Sequence, residues 1–499
     1  EETAQRKLVE AVRSICLAEV FAGSREELYR QVEALCTSGH SQLVFTELTQ
    51  EVARQLEHQL AACSGEEQLQ QLVGVWRKMC QAFKDISKIY SFLDAAFVRR
   101  LENDVLDDVF RRHFRRKLQA MPALCHSAIE GALRLVDDER HGKAIDQELL
   151  KSLIHLLRNL LFYKDFESKF LDQTAQFYRQ ESETWCQKGV ADYLLLSEQH
   201  LEKEKGRCSE YMLDPSTLQP LLEVLRQEIL AKRAEKLLTM GFAELVHAVQ
   251  VEHLARLYQQ YKDIAALGVV RKAFHDAIRK GGLQVLRSSD DAKVVVPELV
   301  RFLTSMQEVL KVAFLGDCSL AIALKEAFEG FLNSAAPNQA AKLLARYVDV
   351  LLRGDMGSST AMVPSQVSVS QMSQSFDFTP SEREGNRDLE VHIRQALQIF
   401  RYLAAKDAFE AFFKKDLARR LLLQRSCREM EHFAATLLRE ECGGAYTAGI
   451  EGMFQDMELS KALAEVFESK PEAKEILEDA GFDFQISVLT TGRWPSPPS

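Results

Sequence analysis

The chain has 499 residues, 46% of them hydrophobic, and a formal net charge of −10; that is enough apolar material for several cores and a length of about three domain-sized units. The acidic balance excludes a protein whose whole surface binds nucleic acid, and no charge-free apolar run approaches the roughly 18 residues that span a bilayer. The acidic start, EETAQRKLVEAV, has neither the basic nor the apolar part of a secretory leader, so the expectation is a soluble intracellular protein, cytoplasmic and nuclear, with no membrane and no direct nucleic-acid partner.

From the N-terminus, apolar positions recur at three and four. Leu28, Val32, Leu35 and Cys36 form one such stripe, and Met79, Phe83, Ile86, Tyr90, Leu93 and Phe97 form another; both describe amphipathic helices with a core-facing side. Pro122 is the single proline before Pro215, and Leu, Ala, Glu, Gln, Arg and Lys dominate, residues that lose least on entering a helix. Strand patterns are almost absent until the last twenty residues, so the first 350 read as stacked antiparallel helices. Helical hairpins of this kind form a solenoid even when their units diverge in sequence.

Asp137, Asp138 and Glu139 are adjacent carboxylates; on a helix they diverge, and the cluster reads as solvated rather than as acid/base machinery. His247 and His253 are six apart and point in different directions on a helix, which does not suit chelation. The ten cysteines are scattered, without C-x-x-C, and read as free thiols of a reducing compartment. No phosphate loop, dinucleotide fingerprint, H-E-x-x-H or G-x-S-x-G is present, so no catalytic residue, cofactor or metal is expected.

Residues 354–387 are rich in Ser and Gln with Pro364 and Pro380, and lack helical period. They read as a flexible linker or insertion between a region over 1–353 and another over 388–499. After it, Leu389, Ile393, Leu397, Phe400 and Leu403 form a helical stripe. Asp407 with Glu410 resembles a capping box that starts a helix at Ala408, with Phe409, Phe413 and Leu417 on its core face. Lys414, Lys415, Arg419 and Arg420 are spread around that helix; they read either as solvated residues flanking a packed stripe or as a basic surface that recruits an acidic partner, with a nuclear-import signal as a third reading. Near the end, Phe482, Phe484, Ile486 and Val488 alternate with polar residues, the period of a β-strand.

Several of these stretches resemble one family. IFRYLAAKDAFEAFFKKDLARRLL (Ile399 to Leu422), ECGGAYTAGIEGMFQDMELSK (Glu441 to Lys461) and LTTGRWP (Leu489 to Pro495) look, in order and spacing, like the start of the cullin homology domain. DDERHGKAID (Asp137 to Asp146) is similar to the E-R-x-G-x-x-I-D segment of cullin amino-terminal repeats, and PNQAAKLLARYVDVLLR (Pro337 to Arg353) resembles the close of the third repeat. REELYRQVEALC together with WRKMCQAFKDISKIYSFLD is closest to the cullin 4 group. The chain departs from the family pattern at SCREMEHFAA from Ser426, at Phe413 where Tyr is common, and in the length of the 354–387 insertion.

The resemblance implies an all-α protein: an elongated solenoid of about three helical repeats over 1–353, followed by a helical bundle with a single β-strand near the C-terminus. It implies a non-catalytic scaffold of a cullin-RING ubiquitin ligase. A triple-propeller adaptor of the damaged-DNA-binding type, carrying substrate receptors, would dock on the first repeat through Leu28, Tyr29, Val32, Ile89 and Phe92. A RING-box subunit would complete a sheet with the terminal strand and bring in the ubiquitin-conjugating enzyme, to whose acidic tail Lys414, Lys415, Arg419 and Arg420 would offer a positive surface. The winged-helix region and the lysine that accepts the ubiquitin-like modifier lie beyond Ser499, so this chain is expected neither to be modified nor to hold the RING subunit firmly on its own. The competing class is a helical tether or transport scaffold without a ligase role; the 406–461 block is what a generic solenoid has no reason to carry.

Overall fold

The computed structural model describes residues 2–19, 23–65, 67–101, 104–334, 338–354, 380–470 and 486–495. Helices make up nearly all of them, and no β-strand occurs among the described residues. No helix is long and apolar enough to cross a membrane. The chain divides into two compact units, one of residues 1–188 and 195–233, the other of 189–194 and 234–499.

The first unit begins with α1 (Glu2–Leu17), α2 (Arg25–Thr37), α3 (Ser41–Ala61) and α4 (Gln68–Ile89). It continues through α5 (Leu106–Gln119), α6 (Pro122–Arg140), α7 (Gln147–Asn159), α8 (Tyr163–Trp185) and α9 (Leu218–Leu225). α1 lies on α3 and α4, α5 on α3 and α4, and α7 on α4 and α6. The stripe expected on α4 is its buried face: Met79, Phe83, Ile86, Tyr90 and Leu93 are each at most 3% exposed. Aromatic rings join the layers, with Trp76 edge-on to Phe114 at 5.2 Å and Phe83 stacked on Phe110 at 5.1 Å, geometries that add to simple burial.

The DDERHGKAID stretch ends α6 and starts α7. Gly142, at φ +80°, turns the chain where an L side chain is strained, and Asp146 caps α7 by accepting from the Leu149 N–H at 3.0 Å. Just before that turn the acidic cluster is partly tied: Asp138 meets Lys143, and Glu139 accepts from the Tyr211 hydroxyl. Arg140 turns inward and is buried with Glu204.

In the second unit follow α10 (Val251–Asp263), α11 (Leu267–Ser288), α12 (Ala292–Glu308), α13 (Cys318–Ser334) and α14 (Gln339–Arg353), then α15 (Pro380–Phe400), α16 (Lys406–Leu422), α17 (Arg428–Cys442) and α18 (Gly444–Glu468). Gly281 and Gly282 let α11 approach its neighbours: a Cβ on Gly282 would lie 2.4 Å from the Phe331 ring on α13. One continuous apolar core runs through this unit, from Val190 and Leu194 through Phe274, Phe331 and Leu344 to Phe400, Phe413 and Met453. The segment 354–387 therefore interrupts one core. Residues 355–379 lie outside the described residues, and α15 already begins at Pro380, a residue suited to the first helical turn.

The stripe on α15 is buried at Ile393, Leu397 and Phe400, and Leu403 follows it into the core. The helix expected at Ala408 begins at Lys406 instead; Ala405 is its cap and no side chain closes it, so Asp407 sits in the first turn, where its charge suits the helix dipole. Phe409, Phe413 and Leu417 are at most 1% exposed, as their spacing predicts.

Candidate partner-docking surfaces

The first surface is built by α2 and the chain just after α4. Ser24 starts α2 by accepting from the Glu26 N–H at 3.2 Å. Below, α2 rests on α3, α4 and the short helical turn Ser91–Leu93. Tyr29 and Phe92 are half-buried, each on one of these two touching elements. Leu28, Val32 and Ile89 are at most 3% exposed. Their side chains are spent on the core, so the five expected docking residues reduce to two that a partner can reach, with the other three setting the platform. Arg25 and Asp85, 3.4 Å apart, bridge the two helices at its margin.

A π-helical turn, Asp94–Val98, follows Ser91–Leu93. Its wider winding rotates the residues after Leu93 away from the α-helical period. Val98 takes the fully buried position and Phe97, expected in the core stripe, is half-buried, 5.9 Å from Phe45 of α3. Leu43 nearby in α3 is 45% exposed. Nothing in the α-helical spacing signals this Phe45–Phe97 pair. Asp94 fixes the turn, accepting from the Leu106 N–H at 2.7 Å and from the Arg99 guanidinium.

The second surface is the basic face of α16. Lys415 and Arg419 are exposed, and Lys414 lies along Glu410 one turn earlier. Arg420 is not on the surface: it is 1% exposed and pairs with Asp349 of α14 and Glu431 of α17. Arg420 stands seven residues after the buried Phe413, which returns it to the core face of the helix, and there two carboxylates receive it. Asp416, on the same helix, has its carboxyl pushed above the usual range by burial and by the facing charge of Asp349, against the pull of Arg420, Arg419 and Arg353.

The third surface lies where the LTTGRWP stretch meets α18. Asp456, 2% exposed, accepts from the Thr490 N–H at 2.9 Å, the Thr490 hydroxyl at 2.8 Å, the Trp494 indole at 2.8 Å and Arg493 at 3.2 Å. Burial works against its charge, but these bonds together hold its carboxyl below the usual range. Ser460, one turn on, donates its hydroxyl to the Val488 carbonyl at 2.9 Å and accepts from the Val488 N–H at 2.8 Å. The strand expected over Phe482–Val488 lies mostly outside the described residues. Its end, Ile486 to Val488, has no regular secondary structure, and both backbone groups of Val488 are bonded to the Ser460 side chain. Ile486, Val488 and Leu489 are 46%, 53% and 38% exposed, as are Leu459, Leu463 and Val466 on α18 at 61%, 53% and 59%. Sequence reading did not find Asp456, since its partners lie more than thirty residues away.

No group of His, Cys, Asp and Glu among the described residues is arranged to hold a metal ion. His247 packs its ring on Phe302 and against Gly281. The three surfaces thus carry half-buried aromatics, exposed cations and a fastened terminal segment.

Comparison with known proteins gives a consistent result. The family model described as the cullin alpha solenoid domain matches residues 5–464. Cullin-4A of Homo sapiens is 30% identical over 504 residues, covering 98% of this chain and 62% of that protein. Cullin-4 of Dictyostelium discoideum is 28% identical, over 100% of this chain and 60% of its own length, and Cullin-3A of Arabidopsis thaliana is 26% identical, over 99% and 65%. The chain thus spans about three fifths of the length of the curated relatives it matches.

Proposed function

The chain belongs to the cullin family, and from that premise we propose that it serves as the scaffold of a cullin-RING ubiquitin ligase in cytoplasm and nucleus, with a substrate-receptor adaptor docked on its first repeat. In this reading residues 1–353 are the repeat solenoid and 388–499 the start of the cullin homology region. The scaffold supplies no nucleophile. It raises the effective concentration of a substrate lysine near the conjugating enzyme's thioester, an advantage that a limp connection would dilute.

The observation that carries the adaptor assignment is the position of Tyr29 and Phe92. Each projects half-buried from one of two packed elements whose inner residues, Leu28, Val32 and Ile89, are locked in the core. Aromatics on a rigid base are effective interface anchors, because little side-chain freedom is lost on binding. The similarity to Cullin-4A favours a triple-propeller adaptor of the damaged-DNA-binding type. Near the C-terminus the exposed apolar side chains of Ile486, Val488 and Leu489 suit a RING-box subunit that packs on them. Lys415 and Arg419 suit an acidic tail on the conjugating enzyme.

Calorimetric titration of the purified chain with the triple-propeller adaptor tests this. Binding is expected for the unmodified protein and is expected to be lost in Tyr29→Asp and in Phe92→Asp, each first shown by circular dichroism to remain helical. Absence of binding by the unmodified chain overturns the adaptor assignment; retention in both variants moves the docking face elsewhere.

A further inference from the structure

Two neighbouring side chains of α4 reach two residues one turn apart on α7, a helix packed against it. The Trp76 indole donates to Nδ1 of His155 at 3.1 Å, and the Arg77 guanidinium donates to the Ser152 hydroxyl at 2.5 Å. Ser152 donates in turn to the Glu148 carbonyl at 2.7 Å. The two ties differ in kind. The one at Ser152 joins groups that keep their protons across the ordinary pH range, whereas the one at His155 exists in a single protonation state.

An indole N–H can only donate, so Nδ1 of His155 offers its lone pair and the neutral ring carries its proton on Nε2. A second proton has only Nδ1 to bind, and there it sets two donors face to face. Trp76 has no other partner to turn to: it is 2% exposed, and its ring is held edge-on to Phe114 at 5.2 Å. A buried donor stranded in this way is destabilising. His155 itself is exposed, so solvent protons reach it.

The surroundings of the ring oppose that second proton. Desolvation is the largest cause, followed by the charges of Arg111 on α5, Arg158 on α7 and Lys84 on α4, and together they hold the imidazole below its ordinary value of 6.5. Arg111 is itself paired with Asp107 and Asp108, and Arg158 with Asp214, but no carboxylate acts on the ring. α6 and α8, the other helices packed on α7, direct no charge at it either.

We propose that the Trp76–His155 bond is a proton-sensitive latch on the seat of α7 against α4, closed while the imidazole is neutral and opened when it takes up a second proton. The Arg77–Ser152 bond stays in place, so acid releases one of two ties and loosens the joint without parting the helices. Because the folded value lies below that of the unfolded chain, the latch contributes its full stability above about pH 6.5 and loses it as pH falls through the folded value.

The test uses the full chain labelled with ¹⁵N-tryptophan, in which Trp76→Phe identifies the Trp76 indole resonance. That resonance is expected to hold from about pH 8 to 7 and then to shift in one titration step with its midpoint below about 6.5. Over the same step the protection of the α7 amides against hydrogen exchange, corrected for the intrinsic rate, is expected to fall roughly 5-fold, the equilibrium effect of losing one ordinary hydrogen bond. His155→Asn sets a non-titrating carbonyl near the place of Nδ1 and is expected to abolish both responses. Ser152→Ala removes the other tie and is expected to leave the resonance shift unchanged. Each variant is first shown by circular dichroism to remain helical. A Trp76 resonance unmoved down to about pH 5 overturns the proposal. A shift that persists in His155→Asn assigns the proton to another group and overturns it equally, and a shift that vanishes in Ser152→Ala traces it to the Arg77 tie, with the same result.

Discussion

Arg140 and Glu204 face each other in the first unit as a two-bonded pair, Nε to Oε1 at 3.0 Å and Nη2 to Oε2 at 2.9 Å, with side chains 2% and 0% exposed. The pair is also embedded: Thr174 accepts from Arg140 at 2.8 Å, the Tyr178 hydroxyl donates to Glu204 at 2.8 Å, and the guanidinium lies 5.3 Å from the centre of the Phe170 ring. The Arg207 guanidinium also donates to Glu204, at 2.5 Å, so loss of Arg140 leaves the buried carboxylate with one cation in place of two. Arg140→Ala is therefore expected to lower the unfolding free energy by about 1–3 kcal/mol, the scale of lost hydrogen bonds to a charged group. Arg140→Lys, which keeps the charge and loses only the two-bonded geometry, is expected to cost less. Urea denaturation of both variants, followed by circular dichroism, measures the difference.

The clamp at Asp456 predicts a pH response. Its folded carboxyl lies below the usual range, so the folded protein takes up this proton less readily than the unfolded chain. The stability it contributes is fully present above the ordinary carboxylate value of about 4 and is lost as pH falls through the lower folded value. The indole N–H resonance of Trp494 reads this directly, because that group donates to Asp456. It is expected to hold constant from pH 7 to about 4 and to shift toward its solvent-exposed value below that. In Asp456→Asn the acid-dependent shift should vanish.

Gly282 tests the close approach of α11 and α13. A methyl group there meets three Phe331 ring carbons at 2.4 to 2.6 Å, and Phe331 is fully buried, so the ring has no open side to turn to. Gly282→Ala is expected to destabilise by about 1–3 kcal/mol, although alanine is the better helix former. Gly330→Ala, with nothing within 4 Å of the added carbon, is the control and is expected to be neutral or stabilising in the same thermal melt.

Leu161 offers the opposite sign. It follows α7 at φ +60° and is 67% exposed, so it carries left-handed strain with little burial to offset it. Leu161→Gly is expected to raise stability by roughly 1 kcal/mol, the strain of an L residue in that region less the added freedom of glycine in the unfolded chain. A rise in the melting midpoint supports this; a fall means that the leucine side chain makes contacts worth more than the strain.

Helical class and core faces were legible because burial imposes a period on neighbouring residues: the stripes on α4, α15 and α16 needed only spacing. Leu28 and Val32 lie on such a stripe themselves, and a side chain spent on the core is not free for contact; Ile89, beside the stripe on α4, is drawn into the core as well. Phe97 left its stripe because a π-helical turn breaks the count, which no residue type around Asp94 announces. Arg420 was read with its three basic neighbours because charge marks a residue as solvated unless its carboxylates are known, and Asp349 lies 71 residues away. Asp456 was invisible for the same reason. The contacts that distinguish this molecule from any helical stack are pairings between distant polar side chains, and periodicity does not carry them.

Ser460 satisfies both the N–H and the carbonyl of Val488 with a single hydroxyl. In doing so it occupies the hydrogen-bonding groups by which exposed extended backbone, flanked here by Ile486 and Leu489, would recruit a matching segment from another molecule. The hydroxyl thus acts as a guard against indiscriminate self-assembly. Ser460→Ala strips that guard while leaving the apolar side chains in view, so its first symptom is expected to be concentration-dependent turbidity at a temperature where the helices are still intact.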